Sequence, residues 1–186
     1  MSEEQEQVIF KLVLLGDGMV GKTSIRQRYL GKEFSTSYLA TLGADFAIKE
    51  LTFKNYLVRY QIWDLAGQPR FNQLRRAFYL GAQGGIVIYD ISNRDSLNNV
   101  QNWITEFFQN NGKGAQPIVL IGNKKDLREK GVDTIARDEG EKVAGTLASE
   151  LDIPVPFVEV SAMTGENIEE AFQLITSYYF ETRLNL

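Results

Sequence analysis

The chain of 186 residues contains no cysteine and no histidine. Without cysteine there are no disulfides, thiolate metal sites or thiol nucleophiles, and without histidine there is no Ser-His-Asp triad and no imidazole zinc site. Long hydrophobic runs are also missing: the longest, Ala77 to Tyr89, is broken by Gly81, Gly84 and Gly85 and is too short to span a bilayer. The start, Ser2 to Gln7, is acidic and does not resemble a signal sequence, so the expected compartment is the cytoplasm. Positive charge is not in excess. Lys and Arg total 20 against 24 Asp and Glu, a net charge of −4 that gives no broad footprint for nucleic acid or anionic lipid.

What is present is a chain with 44% hydrophobic and 24% charged residues, the composition of a globular protein of one domain with a buried core. Val8 to Leu15 is an apolar run broken only by Lys11 and reads as a strand buried on both faces, followed by a glycine loop and a helix over Lys22 to Leu30. Phe46 to Phe53 and Leu57 to Trp63 partly alternate around Lys54-Asn55, the pattern of an antiparallel hairpin at a sheet edge. Gly84 to Tyr89, Pro117 to Ile121 and Pro156 to Val160 are short Ile/Val-rich strands. Between and after them, helical spacing marks Leu97, Val100, Ile104 and Phe107 as one helix, Val143 and Leu147 as another, and Ile168, Phe172, Ile175 and Tyr179 as a third. Strands alternating with helices imply an α/β domain over residues 8–182 with short tails at 1–7 and 183–186, and with ligands at the carboxyl ends of the strands.

Gly16-Asp17-Gly18-Met19-Val20-Gly21-Lys22-Thr23 fits G-x-x-x-x-G-K-[ST] between a strand and a helix, the context that pattern requires. Average usage gives such a match in roughly one chain in 150 of this length. Its backbone amides would cradle phosphates at a helix N-terminus, with Lys22 reaching the β/γ oxygens and the Thr23 hydroxyl on Mg²⁺. Trp63-Asp64-Leu65-Ala66-Gly67-Gln68 ends a later strand. An aspartate there is most often a cap, but beside a phosphate loop it can hold a water of the Mg²⁺ shell, while the Gly67 amide approaches a γ-phosphate and Gln68 orients water. Asn123-Lys124-Lys125-Asp126 follows another strand. The Asp126 carboxylate can accept from N1–H and the N2 amine of guanine, whereas adenine presents a lone pair at N1, and such a site rejects the wrong base by about 10⁴ to 10⁵. Ser161-Ala162-Met163 ends the last strand, where its amides would reach guanine O6; taken alone that triplet is a weak signal.

These loops, in this order and all at strand ends, resemble the Ras superfamily of small GTPases over about Phe10 to Tyr179. The wording of Thr41-Leu42-Gly43-Ala44-Asp45-Phe46, Ile62-Trp63-Asp64, Gly67-Gln68-Pro69-Arg70-Phe71, Tyr89-Asp90-Ile91, Asn98-Asn99-Val100 and Trp103 is similar to the Rab branch. The resemblance implies a P-loop NTPase fold of the Ras-like kind: a six-stranded, mixed and mainly parallel sheet flanked by helices, with the second strand antiparallel. It also implies a GTP-binding and GTP-hydrolysing switch. Phosphate contacts fall to Asp17, Gly18, Met19, Val20, Gly21, Lys22, Thr23, Ser24, Tyr38, Thr41 and Gly67, and catalysis to Gln68 with Lys22, Thr41 and Gly67. Mg²⁺ falls to Thr23 and Thr41 directly and Asp64 through water. Phe34, Asn123, Lys124, Asp126, Ser161, Ala162 and Met163 are expected around the base. Phe46, Trp63 and Phe78 match an aromatic trio through which Rab proteins meet effectors, although ordinary hairpin packing accounts for the same residues.

Met19 stands where the family more often has Gly or Ala, and Pro69 where Rab proteins commonly have Glu, which biases Gln68 toward extended backbone. Met163 stands where many relatives have Lys or Leu. No arginine is placed by motif as a finger in cis, so unassisted hydrolysis is expected at about 10⁻⁴ to 10⁻² s⁻¹, with effector proteins, a GTPase-activating protein and an exchange factor as partners. Glu181 to Leu186 contains no cysteine, so no lipid anchor is expected on this chain, and membrane recruitment would run through partners or a further C-terminal tail. Two rival readings remain: a scaffold that holds guanine nucleotide without cycling, and an adenine-nucleotide phosphotransferase, which Asp126 disfavours.

Overall fold

The computed structural model describes residues 6–32, 41, 43–68 and 71–184. Its strands are β1 (Glu6–Leu15), β2 (Ala44–Phe53), β3 (Tyr56–Leu65), β4 (Gly84–Asp90), β5 (Ile118–Asn123) and β6 (Phe157–Glu159). Its helices are α1 (Lys22–Tyr29), α2 (Asn72–Tyr79), α3 (Arg94–Asn98), α4 (Val100–Asn110), α5 (Asp126–Glu129), α6 (Arg137–Leu151) and α7 (Ile168–Leu184). The strands form one 6-stranded sheet in the order β2-β3-β1-β4-β5-β6. Only β2 runs antiparallel to its neighbour; the β1–β3, β1–β4, β4–β5 and β5–β6 pairs are parallel. This is the mixed, mainly parallel sheet flanked by helices that the sequence implies.

The alternation along β1 explains why its apolar run is continuous. Phe10, Leu12 and Leu14 face one layer with Ile25 and Tyr29 of α1 and Phe172 and Ile175 of α7. Val13 and Leu15 face the other, with Val100, Ile104 and Phe107 of α4 and Ala144 and Leu147 of α6. Both faces are covered from Leu12 to Leu15, which are all apolar, whereas Lys11 is only partly buried and donates its ammonium to the Leu80 carbonyl at 2.7 Å. On β2 alternate residues are exposed, because no helix covers the outer face of that edge. The β2–β3 hairpin turns where expected, with Lys54 at φ 51°.

Some boundaries move. β1 begins at Glu6, since Glu6 and Gln7 pair with Tyr56 and Leu57, and α7 runs to Leu184. α1 closes at Tyr29, where Leu30 N–H donates to Arg26 O at 3.0 Å as its cap. The helix expected through Leu97 to Phe107 is two helices broken at Asn99. Asn93 starts the first, its side-chain oxygen accepting from Asp95 N at 3.1 Å and Ser96 N at 3.4 Å. Neither α2 nor α5 is among the expected helices: Leu74, Ala77 and Phe78 of α2 do fall at helical spacing, whereas α5 is a single turn of 4 residues, too short to show a period. Because the parallel strands point the same way, the loops after β1, β3, β5 and β6 meet at one edge of the sheet.

Candidate functional site

Those loops surround a cleft of about 540 Å³, a volume in the range of small-ligand sites. At one end lies the loop between β1 and α1. Its last glycine, Gly21, has φ 99°, and a Cβ there would sit 2.3 Å from Asn123 Nδ2, so only glycine fits. Lys22 is buried and donates from Nζ to the carbonyls of Gly16 and Asp17, both at 2.7 Å. Burial lowers its pKa to about 8, against the opposing pull of Asp64 and Asp17. Met19 takes φ 68° and is exposed at the rim of the cleft, so the backbone accommodates it at some conformational cost and the side chain points away from the core.

Beside Lys22 three oxygens converge. Thr23 Oγ1 and Thr41 Oγ1 lie 3.0 Å apart; Thr23 donates to Asp64 Oδ2, and Thr41 reaches the same oxygen at 3.5 Å. Asp64 is fully buried at the end of β3, and its Oδ1 has no partner among the described residues. Burial raises its pKa, opposed by the Thr23 hydroxyl and Lys22. Among the described residues no three acidic side chains gather into a metal cluster. Two hydroxyls and one carboxylate with a free lone pair nevertheless suit Mg²⁺, which takes one or two carboxylates and completes its shell from water and phosphate.

Gly67 follows closely. A Cβ on it would lie 2.4 Å from the Asp17 carbonyl carbon and 2.5 Å from Gly18 N, so the loop after β3 rests directly on the phosphate loop. Gln68 lies next to Gly18, at the same end of the cleft.

At the other end, Asn123 donates to Val20 O at 2.8 Å and accepts from Ala162 N at 3.1 Å, clipping three loops together. Lys124, at φ 70°, pairs with Asp90 at 2.6 Å. Asp126 accepts from Ser161 Oγ at 2.7 Å and from Lys130 Nζ at 3.1 Å. Burial acts to raise the Asp126 pKa, but the hydrogen bonds from Ser161 and Lys130, the charge of Lys130 and the backbone together outweigh it, and the carboxyl is held below its ordinary value. It is therefore an ionised acceptor at neutral pH.

The loop after β1 and the loop that carries Asp126 thus share one cleft. The Ras family model matches residues 11–180. The chain is 41% identical over 174 residues to Ras-related protein RABG3f of Arabidopsis thaliana, and 41% identical over 174 residues to Ras-related protein Rab7 of Pisum sativum, covering 92% of this chain and 82% of each relative. It is 37% identical over 164 residues to human Ras-related protein Rab-8B, covering 88% of this chain and 75% of that relative. The chain belongs to the Ras family.

As a Ras-family member it is a small GTPase, a guanine-nucleotide-binding switch protein. Of the site residues expected from sequence, Gly18, Met19, Gly21, Lys22, Thr23, Ser24, Thr41, Gly67, Gln68, Asn123, Lys124, Asp126, Ala162 and Met163 line the one cleft, and Ser161 reaches it through Asp126. Asp17 turns its side chain away: its carboxylate accepts from Asn99 Nδ2 at 2.8 Å and Trp103 Nε1 at 2.7 Å. Phe34, Tyr38, Pro69 and Arg70 lie outside the described residues. Phe46 and Trp63 stack at 4.9 Å and Trp63 meets Phe78 at 5.2 Å, so the trio is one continuous aromatic strip with Phe46 exposed at its end.

Several contributors to the Ras-family site were not read from sequence. Arg28 of α1 donates to the carbonyls of Ala162 and Met163 and pins the loop at the base end. Lys130 flanks Asp126, and Asn99, Trp103 and Arg75 buttress the phosphate end. Trp103 had a signal: an indole on a helix face that is otherwise apolar must find an acceptor for its N–H. The others are polar residues whose partners lie far away in sequence.

Proposed function

We propose that this small GTPase cycles between a GTP-bound and a GDP-bound state, with Mg²⁺ held by Thr23 and Thr41 and, through water, by Asp64. Mg²⁺ would neutralise charge on the β- and γ-phosphate oxygens. Lys22 turns its ammonium from the loop carbonyls to those same oxygens, and the Gly67 amide donates to the γ-phosphate. Gln68 orients a water in line with the γ-phosphorus. The new O–P bond forms as the bond from the γ-phosphorus to the β–γ bridging oxygen breaks, and the proton of the water leaves with phosphate. Asp126, Asn123 and Lys124 hold guanine, with the Ser161, Ala162 and Met163 loop and Phe34 around it.

The observation that carries this reading is the convergence of Thr23, Thr41 and Asp64 beside buried Lys22, in the same cleft as ionised Asp126. Thr41 would contact the γ-phosphate only before hydrolysis, and its release would loosen the segment around Tyr38 to Gly43. Effectors would read that segment together with Phe46, Trp63 and Phe78. Turnover alone would be slow, about 10⁻⁴ to 10⁻² s⁻¹, with an activating protein supplying about 10³ or more and an exchange factor reloading GTP. No helix among the described residues is long and apolar enough to cross a membrane, and we place the protein in the cytoplasm with recruitment to membranes through partners.

The test is to denature the purified protein, identify the released nucleotide, reload with GTP and Mg²⁺ and follow one turnover of phosphate release. Bound GDP with slow phosphate release supports the switch. Persisting, unhydrolysed GTP turns the reading to a non-cycling scaffold, and adenine nucleotide overturns the role of Asp126.

A further inference from the structure

Arg75 of α2 is 2% exposed, an expensive place for a guanidinium unless its donors are used. Its Nη1 donates to the carbonyls of both Ala66 and Gln68 at 2.9 Å, one residue on either side of Gly67. Nε and Nη2 meet the two carboxylate oxygens of Glu106 at 3.1 and 3.3 Å, and Tyr79 donates to the same carboxylate at 2.9 Å. The guanidinium also lies 4.5 Å from the centre of the Trp103 ring. The N–H of that ring holds Asp17 in the phosphate loop, and Gly67 rests on the backbone of Asp17. The contacts therefore close into a circuit: Asp17, Trp103, Arg75, the carbonyls flanking Gly67, and Asp17 again.

We infer that Arg75, braced by Glu106 and Trp103, is a positioning residue that sets the Gly67-Gln68 peptides in register with the phosphate loop for GTP hydrolysis. The inference rests on the cycling function proposed above. One nitrogen bridging the carbonyls of Ala66 and Gln68 fixes the Ala66–Gly67 peptide, and with it the direction of the Gly67 N–H, and holds the Gln68 backbone from which the side chain springs. Stability alone does not require this arrangement, since apolar residues of similar volume commonly replace a buried ion pair at little cost. An apolar pair leaves the two carbonyls without their shared donor, and although Gln68 O still accepts from Phe71 N at 3.1 Å, the loop is held less tightly against the phosphate loop. Asn99, between α3 and α4, donates to the second oxygen of Asp17 at 2.8 Å.

The experiment compares the parent with Arg75→Met/Glu106→Leu, which removes both charges together, and with Arg75→Lys and Trp103→Phe. The readouts are single-turnover hydrolysis of preloaded GTP, GDP dissociation, thermal unfolding, and amide exchange of segment 65–71. The double variant is expected to hydrolyse about 10- to 100-fold more slowly while GDP dissociation stays within about twofold, because a small misplacement of a reacting group has costs of that order. Arg75→Lys recovers part of the rate. Trp103→Phe keeps a ring under the guanidinium but loses the donor to Asp17, so it also speeds GDP release. Protection of segment 65–71 falls in the double variant while that of β1 and β5 holds. A parental hydrolysis rate in the double variant overturns the inference, as does a slowing that only tracks loss of thermal stability and GDP affinity. A parent that binds GTP without turning it over defeats the cycling function instead. The exchange of segment 65–71 then decides whether Arg75 holds the loop, and unchanged protection there overturns the inference.

Discussion

The hydroxyl oxygens of Thr23 and Thr41 stand 3.0 Å apart across a separation of 18 residues, and both address the buried carboxylate of Asp64. α1 supplies the first hydroxyl and the segment before β2 the second, so the distance between them measures whether that segment is docked on the site. Thr23→Asn removes a hydroxyl and places a wider amide against Asp64. Expected is a loss of GTP affinity of tenfold or more in Mg²⁺, about 1.4 kcal/mol or above. Titration with a fluorescent GTP analogue checks it; an unchanged affinity would remove Thr23 from the metal site.

Gln68→Leu keeps the side-chain volume and removes the amide that would orient water. Phosphate release in a single turnover should slow by about tenfold or more, with GTP and GDP affinities held. A parental rate would show that Gln68 is not the residue that aligns the nucleophile.

Asp126 accepts from Ser161 and Lys130 and stays ionised, which suits the two adjacent donors of guanine. Asp126→Asn exchanges one acceptor oxygen for a donor. Affinity for guanine nucleotide should fall by about 10²-fold or more, and a purine with a carbonyl in place of the 2-amine should lose much less or gain. Competition between the two nucleotides on parent and variant reads this directly.

Tyr89 is fully buried between β5 and α6, and its hydroxyl has no hydrogen-bond partner among the described residues. Burial, with Glu159 nearby, pushes its pKa well above the ordinary tyrosine value. Unfolding frees the phenol to ionise near pH 10, so above that pH the unfolded state holds fewer protons and stability falls as pH rises. Tyr89→Phe should raise stability at neutral pH by about 1 kcal/mol, since it deletes an unsatisfied group. It should also lessen the loss between about pH 10 and 11. Denaturant unfolding at pH 7, 10 and 11 measures both, and a variant less stable at pH 7 would mean that the hydroxyl is satisfied in solution.

Much of the molecule is legible residue by residue in one dimension. Both faces of β1 are covered from Leu12 to Leu15, so that apolar run declares itself as a buried strand; Gly16 to Thr23 fits the phosphate-loop pattern, which few chains match by chance. Asp126 suggests a guanine site through hydrogen-bond chemistry, while Asn123 is expected there only from the family resemblance. The break at Asn99 is not legible, because Leu97, Val100, Ile104 and Phe107 keep a helical period straight through it. Nor is the partner of the Asn99 side chain legible, because Asp17 is decided only when the loop after β1 meets the start of α4.

Local rules therefore determined the order of strands and helices, the covered faces, and which residue types could meet phosphate, magnesium and guanine. Tertiary structure alone decided that Asp17 faces Trp103 rather than the cleft, that Arg75 bridges the two carbonyls around Gly67, and that Arg28 holds the loop of Ala162 and Met163. The physical reason is that an apolar side chain needs only a buried face, which periodicity reveals. A buried polar group needs one particular partner, at hydrogen-bond distance, and that partner can come from anywhere in the chain.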